Sequence, residues 1–141
     1  MPNMQSIAEA LRGRFASLVE GQVSTLVANS VTYDNTPPRA PGDATNWARV
    51  RVIETSFMQV SMGSPGNNRW RHKGQFVVEL YTLSEMGDKD LRTTTQLIAD
   101  VMRGTFSGVT MTTGPAAKPV GRVTKWWRID LTQEWFADEF R

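Results

Sequence analysis

The stretch 47–84 holds two long runs of strand-forming residues with one sharp break between them, Met62-Gly63-Ser64-Pro65-Gly66-Asn67-Asn68. Pro and Gly side by side favour a chain reversal, so the two runs are predicted to fold back as an antiparallel hairpin. With Ser64-Pro65-Gly66 as a three-residue loop, Val52 falls opposite Val78 and Val50 opposite Leu80. The same register sets Arg51 opposite Glu79 on the other face, an opposite-charge cross-strand pair. A slip of one residue would mismatch both faces.

The length of the runs is unusual. Extended from Trp47 to Met62, one strand would reach about 50 Å at ~3.3 Å per residue. A compact domain of this size has a radius of gyration of only roughly 14 Å. The distal half therefore overhangs, or the strand bends, or the run divides into two shorter hairpin segments inside one globule. Alternation supports a break, because Ala48, Val50 and Val52 share a face with Glu54 and Ser56, whereas Ile53 and Phe57 fall with Arg49 and Arg51. A β-bulge within 53–56, opposite Gly74, is the simplest account.

The remaining segments supply covers for this hairpin. Met4, Ile7, Ala8, Leu11, Phe15 and Leu18 recur at helical spacing, with Asn3 or Ser6 as the cap and Gly21 as the stop. Gly13 costs that helix about 1 kcal/mol relative to Ala, so it relies on a packed face. Residues 30–34 read as a short strand. The Pro- and Gly-rich run 35–45, which includes Pro37, Pro38 and Arg39, reads as a long surface loop. A second helix is predicted from Asp88 to Arg103, with Leu91, Leu97, Ile98, Val101 and Met102 on its buried side and Gly104 as its stop. The run Thr93-Thr94-Thr95 weakens its propensity, so tertiary packing has to hold it. Residues 109–112 read as a strand, 114–119 as a loop, and 121–133 as the last strand. That strand alternates Val123, Lys125, Trp127, Ile129 and Leu131 against Arg122, Thr124, Trp126, Arg128 and Asp130, one face apolar apart from Lys125 and the other polar apart from Trp126. Trp135, Phe136 and Phe140 follow it with more aromatic surface than a free tail carries, so they are expected to dock.

These elements predict an α+β fold: a mixed, mainly antiparallel sheet with a long β-hairpin and two helices packed on it. At 141 residues the chain is expected to form a single domain, 1–141, with a projecting hairpin at 47–84. No apolar run approaches the length of a membrane span. Glu9, Arg12 and Arg14 interrupt the first apolar stretch, which argues against a signal peptide. The absence of cysteine excludes disulfides and makes the cytosol the expected compartment.

The residue chemistry does not point to an enzyme. His72 is the single histidine, which rules out a multi-histidine metal site, and with Arg71 and Lys73 as neighbours it reads as a surface histidine on a strand. Glu85, Asp88 and Asp90 lack a calcium-loop pattern, and helix capping accounts for two of them. Asp138 and Glu139 read as solvated charges. No phosphate-binding glycine loop and no nucleophile elbow is present. Neither a catalytic residue, a metal nor a cofactor is expected.

The basic residues carry more. Arg69, Arg71 and Lys73 alternate along one hairpin face, across from Phe57, Gln59 and Ser61, while Trp70 and His72 share the opposite face with Met58, Val60 and Met62. The cationic face is either solvated or a contact for acidic protein or DNA backbone. The Trp and Met face is core in a globule and an interface in an overhanging arm. A net charge of only +2 does not by itself announce a nucleic-acid binder.

The order of elements resembles the tail terminator (tail completion) proteins of phages with long non-contractile tails. Short local runs resemble the same family: 31–38 (Val31-Thr32-Tyr33-Asp34-Asn35-Thr36-Pro37-Pro38), 46–50, 74–81, Gly87-Asp88 and 105–109. The resemblance implies a structural virion protein that forms a homohexameric ring. Such a ring caps the tail tube at its head-proximal end, ends tube growth, and offers a surface to the head–tail connector. It also implies assembly in the bacterial cytoplasm, partners in the tube and connector proteins, no membrane, and double-stranded DNA crossing the lumen without sequence-specific binding. The candidate subunit or tube contacts are Met58, Val60, Met62, Arg69, Trp70, Arg71, Lys73, Pro37, Pro38 and Arg39. A different head–tail junction ring, a tail-tube-like protein, or a basic nucleic-acid-binding module are the other readings these residues allow.

Overall fold

A computed structural model of the chain describes residues 3–21, 31–33, 46–83, 87 and 89–141. Asn3 and Ser6 cap the first helix reciprocally: the Ser6 amide donates to Asn3 Oδ1 at 2.9 Å and the Asn3 amide to Ser6 Oγ at 2.8 Å. That helix, α1 (Met4–Gly21), sets Ile7, Leu11 and Phe15 four residues apart on one face, and all three are fully buried. The second helix, α2 (Lys89–Val101), buries Leu91 and Ile98, with Met102 just beyond its end. Thr93 and Thr95 return their hydroxyls to the carbonyls of Lys89 and Leu91, at 3.0 and 2.8 Å, a bond that adds nothing to helix stability, so the packing of Leu91 and Ile98 holds the run. Gly104 follows with φ at +72°, the backbone conformation expected of a helix stop.

Both helices cover one face of a seven-stranded sheet. Its strands are β1 (Val31–Tyr33), β2 (Asn46–Gln59), β3 (Arg69–Leu83), β4 (Thr105–Phe106), β5 (Val109–Met111), β6 (Ala116–Val123) and β7 (Trp126–Phe140). Their order is β1-β2-β3-β7-β5-β4, with β6 also on β7. β1 runs parallel to β2 and every other pair is antiparallel. The α+β class and the mixed, mainly antiparallel sheet therefore hold. Val50, Val78, Leu80, Ile129 and Leu131 point into the core, where Phe15 meets Phe76 edge-on at 6.0 Å between ring centroids. Val52 packs against this core as expected. Each such side chain, fully buried, contributes about 1.5–3 kcal/mol.

The C-terminal third differs from its sequence reading. The run 121–133 is not one strand. It turns at Thr124-Lys125, so that β6 lies antiparallel to β7 and Val123 faces Trp126. Residues 116–119, expected as loop, are the first half of β6. The aromatic residues after 133 are held on the domain as expected, as sheet and not as a separate tail. They continue β7, which pairs with β3 from Leu83↔Trp126 to Arg69↔Phe140. Trp135 is a core residue at 1% exposure.

The hairpin register also differs. Val50 faces Val78 and Ala48 faces Leu80, two residues away from the expected pairing, so Arg49 rather than Arg51 stands opposite Glu79. One residue of the shift arises in the loop, where Gln59 pairs with Trp70 instead of a tight three-residue reversal forming. The other arises at the bulge, which lies between Glu54 and Ser56 as the alternation indicated. A shift of two preserves the faces, which is why the core residues were read correctly despite the wrong partners.

Candidate assembly interface

Beyond the core, β2, β3 and β7 run on together as three strands. The bulge starts this distal segment. Thr55 is the extra residue, and its hydroxyl donates to the Lys73 carbonyl at 3.3 Å. Gly74, opposite Glu54, gives the bulge room and lets the Trp135 indole lie against the backbone. One inserted residue inverts the alternation of everything after it. Phe57 therefore moves to the face of His72 and Trp70, stacking on His72 at 4.2 Å and meeting Trp70 at 5.2 Å. Met58 moves the other way and pairs with Arg71. The sequence reading had these two side chains on the opposite faces, because it paired the distal segment one residue out.

His72 is not a surface histidine. Its face is the helix-covered one, away from Arg71 and Lys73, and the residue is only 5% exposed. Nδ1 lies 3.3 Å from Glu54 Oε1 and Nε2 lies 2.9 Å from Glu139 Oε2, so each ring nitrogen meets a carboxylate from a flanking strand. Arg141 adds a cationic contact to Glu139, at 3.2 Å, and lies over the Phe57 ring at 5.4 Å. The hydrogen bond from His72, followed by Arg141, holds the Glu139 carboxyl below the usual carboxylate range. Because the two ring nitrogens point in opposite directions, the three side chains cannot close on one ion. Among the described residues no three His, Cys, Asp or Glu side chains gather where they could hold a metal.

The opposite sheet face carries the cations. Arg71 donates to both oxygens of Asp138, at 2.8 and 3.0 Å, and lies over the Phe136 ring at 4.3 Å. Arg69 reaches the same carboxylate at 3.7 Å. Arg71 through its hydrogen bonds, and both arginines through charge, hold the Asp138 carboxyl below its ordinary value. Asp138 and Glu139, read from sequence as solvated charges, are thus both ion-paired across strands. Lys73 is exposed and makes no ion pair among the described residues. Nearer the core, Glu79 is 4% exposed, bonded by Arg128 at 2.8 Å and approached by Arg49 at 3.9 Å. Tyr81 donates to it at 3.3 Å and stacks on Trp47 at 4.0 Å. Burial, followed by the charge of Glu79, pushes the Tyr81 hydroxyl above its ordinary value.

The tip closes through Ser64–Asn67, where the Asn67 amide donates to the Ser64 carbonyl at 2.8 Å. Pro65 sets the first central position and Gly66, with φ at +80°, takes the second, as a type II turn requires. Asn68 and Arg141 exchange two backbone hydrogen bonds, at 2.9 and 3.0 Å, so β7 accompanies the hairpin to its end. Around this tip Phe57, Met58, Val60, Met62 and Phe140 are exposed, Met62 at 87%. Of the sequence-named candidates, Met58, Val60, Met62, Arg69, Trp70, Arg71 and Lys73 come together on this segment. Pro37, Pro38 and Arg39 lie outside the described residues. Phe57 and Phe140 were missed as candidates. The local pattern held no signal for Phe140, whose position depends on β7 pairing with β3.

The described residues include no helix long and apolar enough to cross a membrane. No protein-family model matches the sequence, and no curated protein matches it. Solved structures share the fold, and two of them serve as examples. One is 16% identical with a TM-score of 0.67, over 100% of this chain and 99% of its own. The other is a chain of the virion of a native gene transfer agent particle, 17% identical with a TM-score of 0.56, over 93% of each chain. At such identities the likeness establishes a common architecture across nearly the whole chain.

Proposed function

We propose that this protein is a non-enzymatic structural component of a phage-like virion, and that it self-associates through the distal β2–β3–β7 segment. The observation that carries the reading is the tip: five large apolar side chains on strands that have left the core, a grouping a lone soluble chain has no use for. The architecture shared with a gene transfer agent virion chain supports the same class of role. In its full form the proposal is a homohexameric ring, built on a single domain with a projecting hairpin. That ring caps the tail tube at the head-proximal end, stops its growth and receives the head connector, with DNA passing through the lumen. A nucleic-acid-binding role draws less support on the hairpin face, because Arg69 and Arg71 are engaged by Asp138 and leave Lys73 as the cation without an ion pair there among the described residues.

Shortening residues 62–68 to a tight turn tests this. The monomer should keep its secondary structure and melting behaviour, since exposed loop changes are mild. Sedimentation should show loss of the ring, and particles carrying the variant should have tails of uncontrolled length or tails unjoined to heads. Normal rings with normal tails would sink the proposal.

A further inference from the structure

Every large apolar side chain left exposed among the described residues falls into one of two groups. Phe57, Met58, Val60, Met62 and Phe140 surround the tip, while Val120, Val123 and Trp127 lie on the β6–β7 hairpin. The groups occupy opposite ends of β7, which runs from Trp126 to Phe140. At ~3.3 Å per residue the separation is about 45 Å, so a chain cannot lay its own tip on its own hairpin.

The charges around the two groups differ. Lys118, Arg122 and Lys125 border the hairpin patch, and none of them makes an ion pair among the described residues. Arg122 donates to the Thr124 carbonyl at 3.1 Å, and Lys125 lies over Trp126 at 5.2 Å. The tip sets Glu54, Asp138 and Glu139 among its cations Arg69, Arg71 and Arg141, with Lys73 exposed beside them. Two hairpin patches brought together would oppose cation to cation. A hairpin patch on a tip lessens that repulsion, because the tip carries Glu54, Asp138 and Glu139 as well as cations.

Building on the self-association proposed above, we infer that the tip of one copy seats on the β6–β7 hairpin of another. The two surfaces are different, so the contact is head-to-tail, and repeated with a constant rotation it closes a ring. Apolar side chains in both patches leave water together, which a DNA backbone, offering phosphate and sugar, does not accomplish.

The absence of native cysteine makes a thiol test clean. Met62→Cys and Val123→Cys each replace an exposed side chain, one per patch. Oxidation of an equimolar mixture should give covalent 1:1 dimers, the double variant should give a ladder of covalent oligomers, and each single variant alone should stay uncrosslinked. Trp127→Glu should weaken self-association at least tenfold while leaving the circular dichroism spectrum unchanged. Wild-type oligomers with no mixed crosslink and no effect of Trp127→Glu would overturn this contact and leave the ring reading standing. A wild-type chain that stays monomeric at high concentration would overturn both. A ladder ending at two copies would retain the contact and overturn the ring.

Discussion

Gly74 lies directly beneath the indole of Trp135. A Cβ built at this glycine would stand 2.5 Å from Trp135 Cζ2 and 1.9 Å from the carbonyl oxygen of Ile53. Neither neighbour has room to yield, because one is backbone at the bulge and the other is a core side chain. Gly74→Ala is therefore expected to destabilise the fold by about 1–3 kcal/mol or more, the range for overpacking. Urea midpoints of the two proteins measure it. An unchanged midpoint would mean that bulge and indole do not meet at this glycine.

Acid stability follows from the paired carboxylates of β7. Asp138 and Glu139 both titrate below their ordinary values in the folded chain. Their contribution is present above the unfolded carboxylate values, roughly 4, and is lost as pH falls through the lower folded values. Stability should thus decline from about pH 4 downward. Asp138→Asn should cost about 1–2 kcal/mol at neutral pH, by weakening charge-assisted bonds to Arg71. It should also flatten the acid limb. Unfolding midpoints at neutral pH and at about pH 3 would show both effects.

The histidine between two carboxylates gives a third prediction. His72→Leu leaves Glu54 facing an apolar group and Glu139 with Arg141 alone. A loss of about 1–3 kcal/mol is expected, the cost of a polar group deprived of its partner. Adding Glu54→Gln to His72→Leu should recover part of the loss, because a neutral amide is easier to leave unpaired. Hydrogen exchange should quicken first in the distal strands. Equal slowing or equal quickening everywhere would mean the cluster has no local role.

Val78 tests the face assignment directly. It is 1% exposed in the middle of β3, between Val50 and Leu131 on the two flanking strands. Val78→Asp buries an unpaired carboxylate and is expected to cost more than about 4 kcal/mol, enough to unfold the domain. A cooperative, parent-like melting curve would place this residue on the wrong face.

The local sequence determined much of this protein without help from the rest. Apolar spacing of four in Ile7, Leu11 and Phe15 made a helix with one buried face, and Asn3 with Ser6 began it. Alternation in Ala48, Val50 and Val52 against Val78 and Leu80 named the core face. Pro65-Gly66 placed the reversal, and the broken alternation near Glu54 placed the bulge opposite Gly74. All of these depend on neighbours a few residues away, so they are written in the chain itself.

What lay beyond the sequence depends on strands that meet from far apart. The register required knowing how many residues the loop and bulge each absorb, and an error of one distally put Met58 and Phe57 on each other's face. The third distal strand was invisible, because nothing local states that β7 pairs with β3. That pairing supplies Asp138 to Arg71 and Glu139 to His72, partners 67 residues away in both cases. The sequence reading accordingly took His72 as exposed and the two acids as solvated. Charge and burial belong to the assembled surface, and only tertiary structure brings the side chains close enough to fix either.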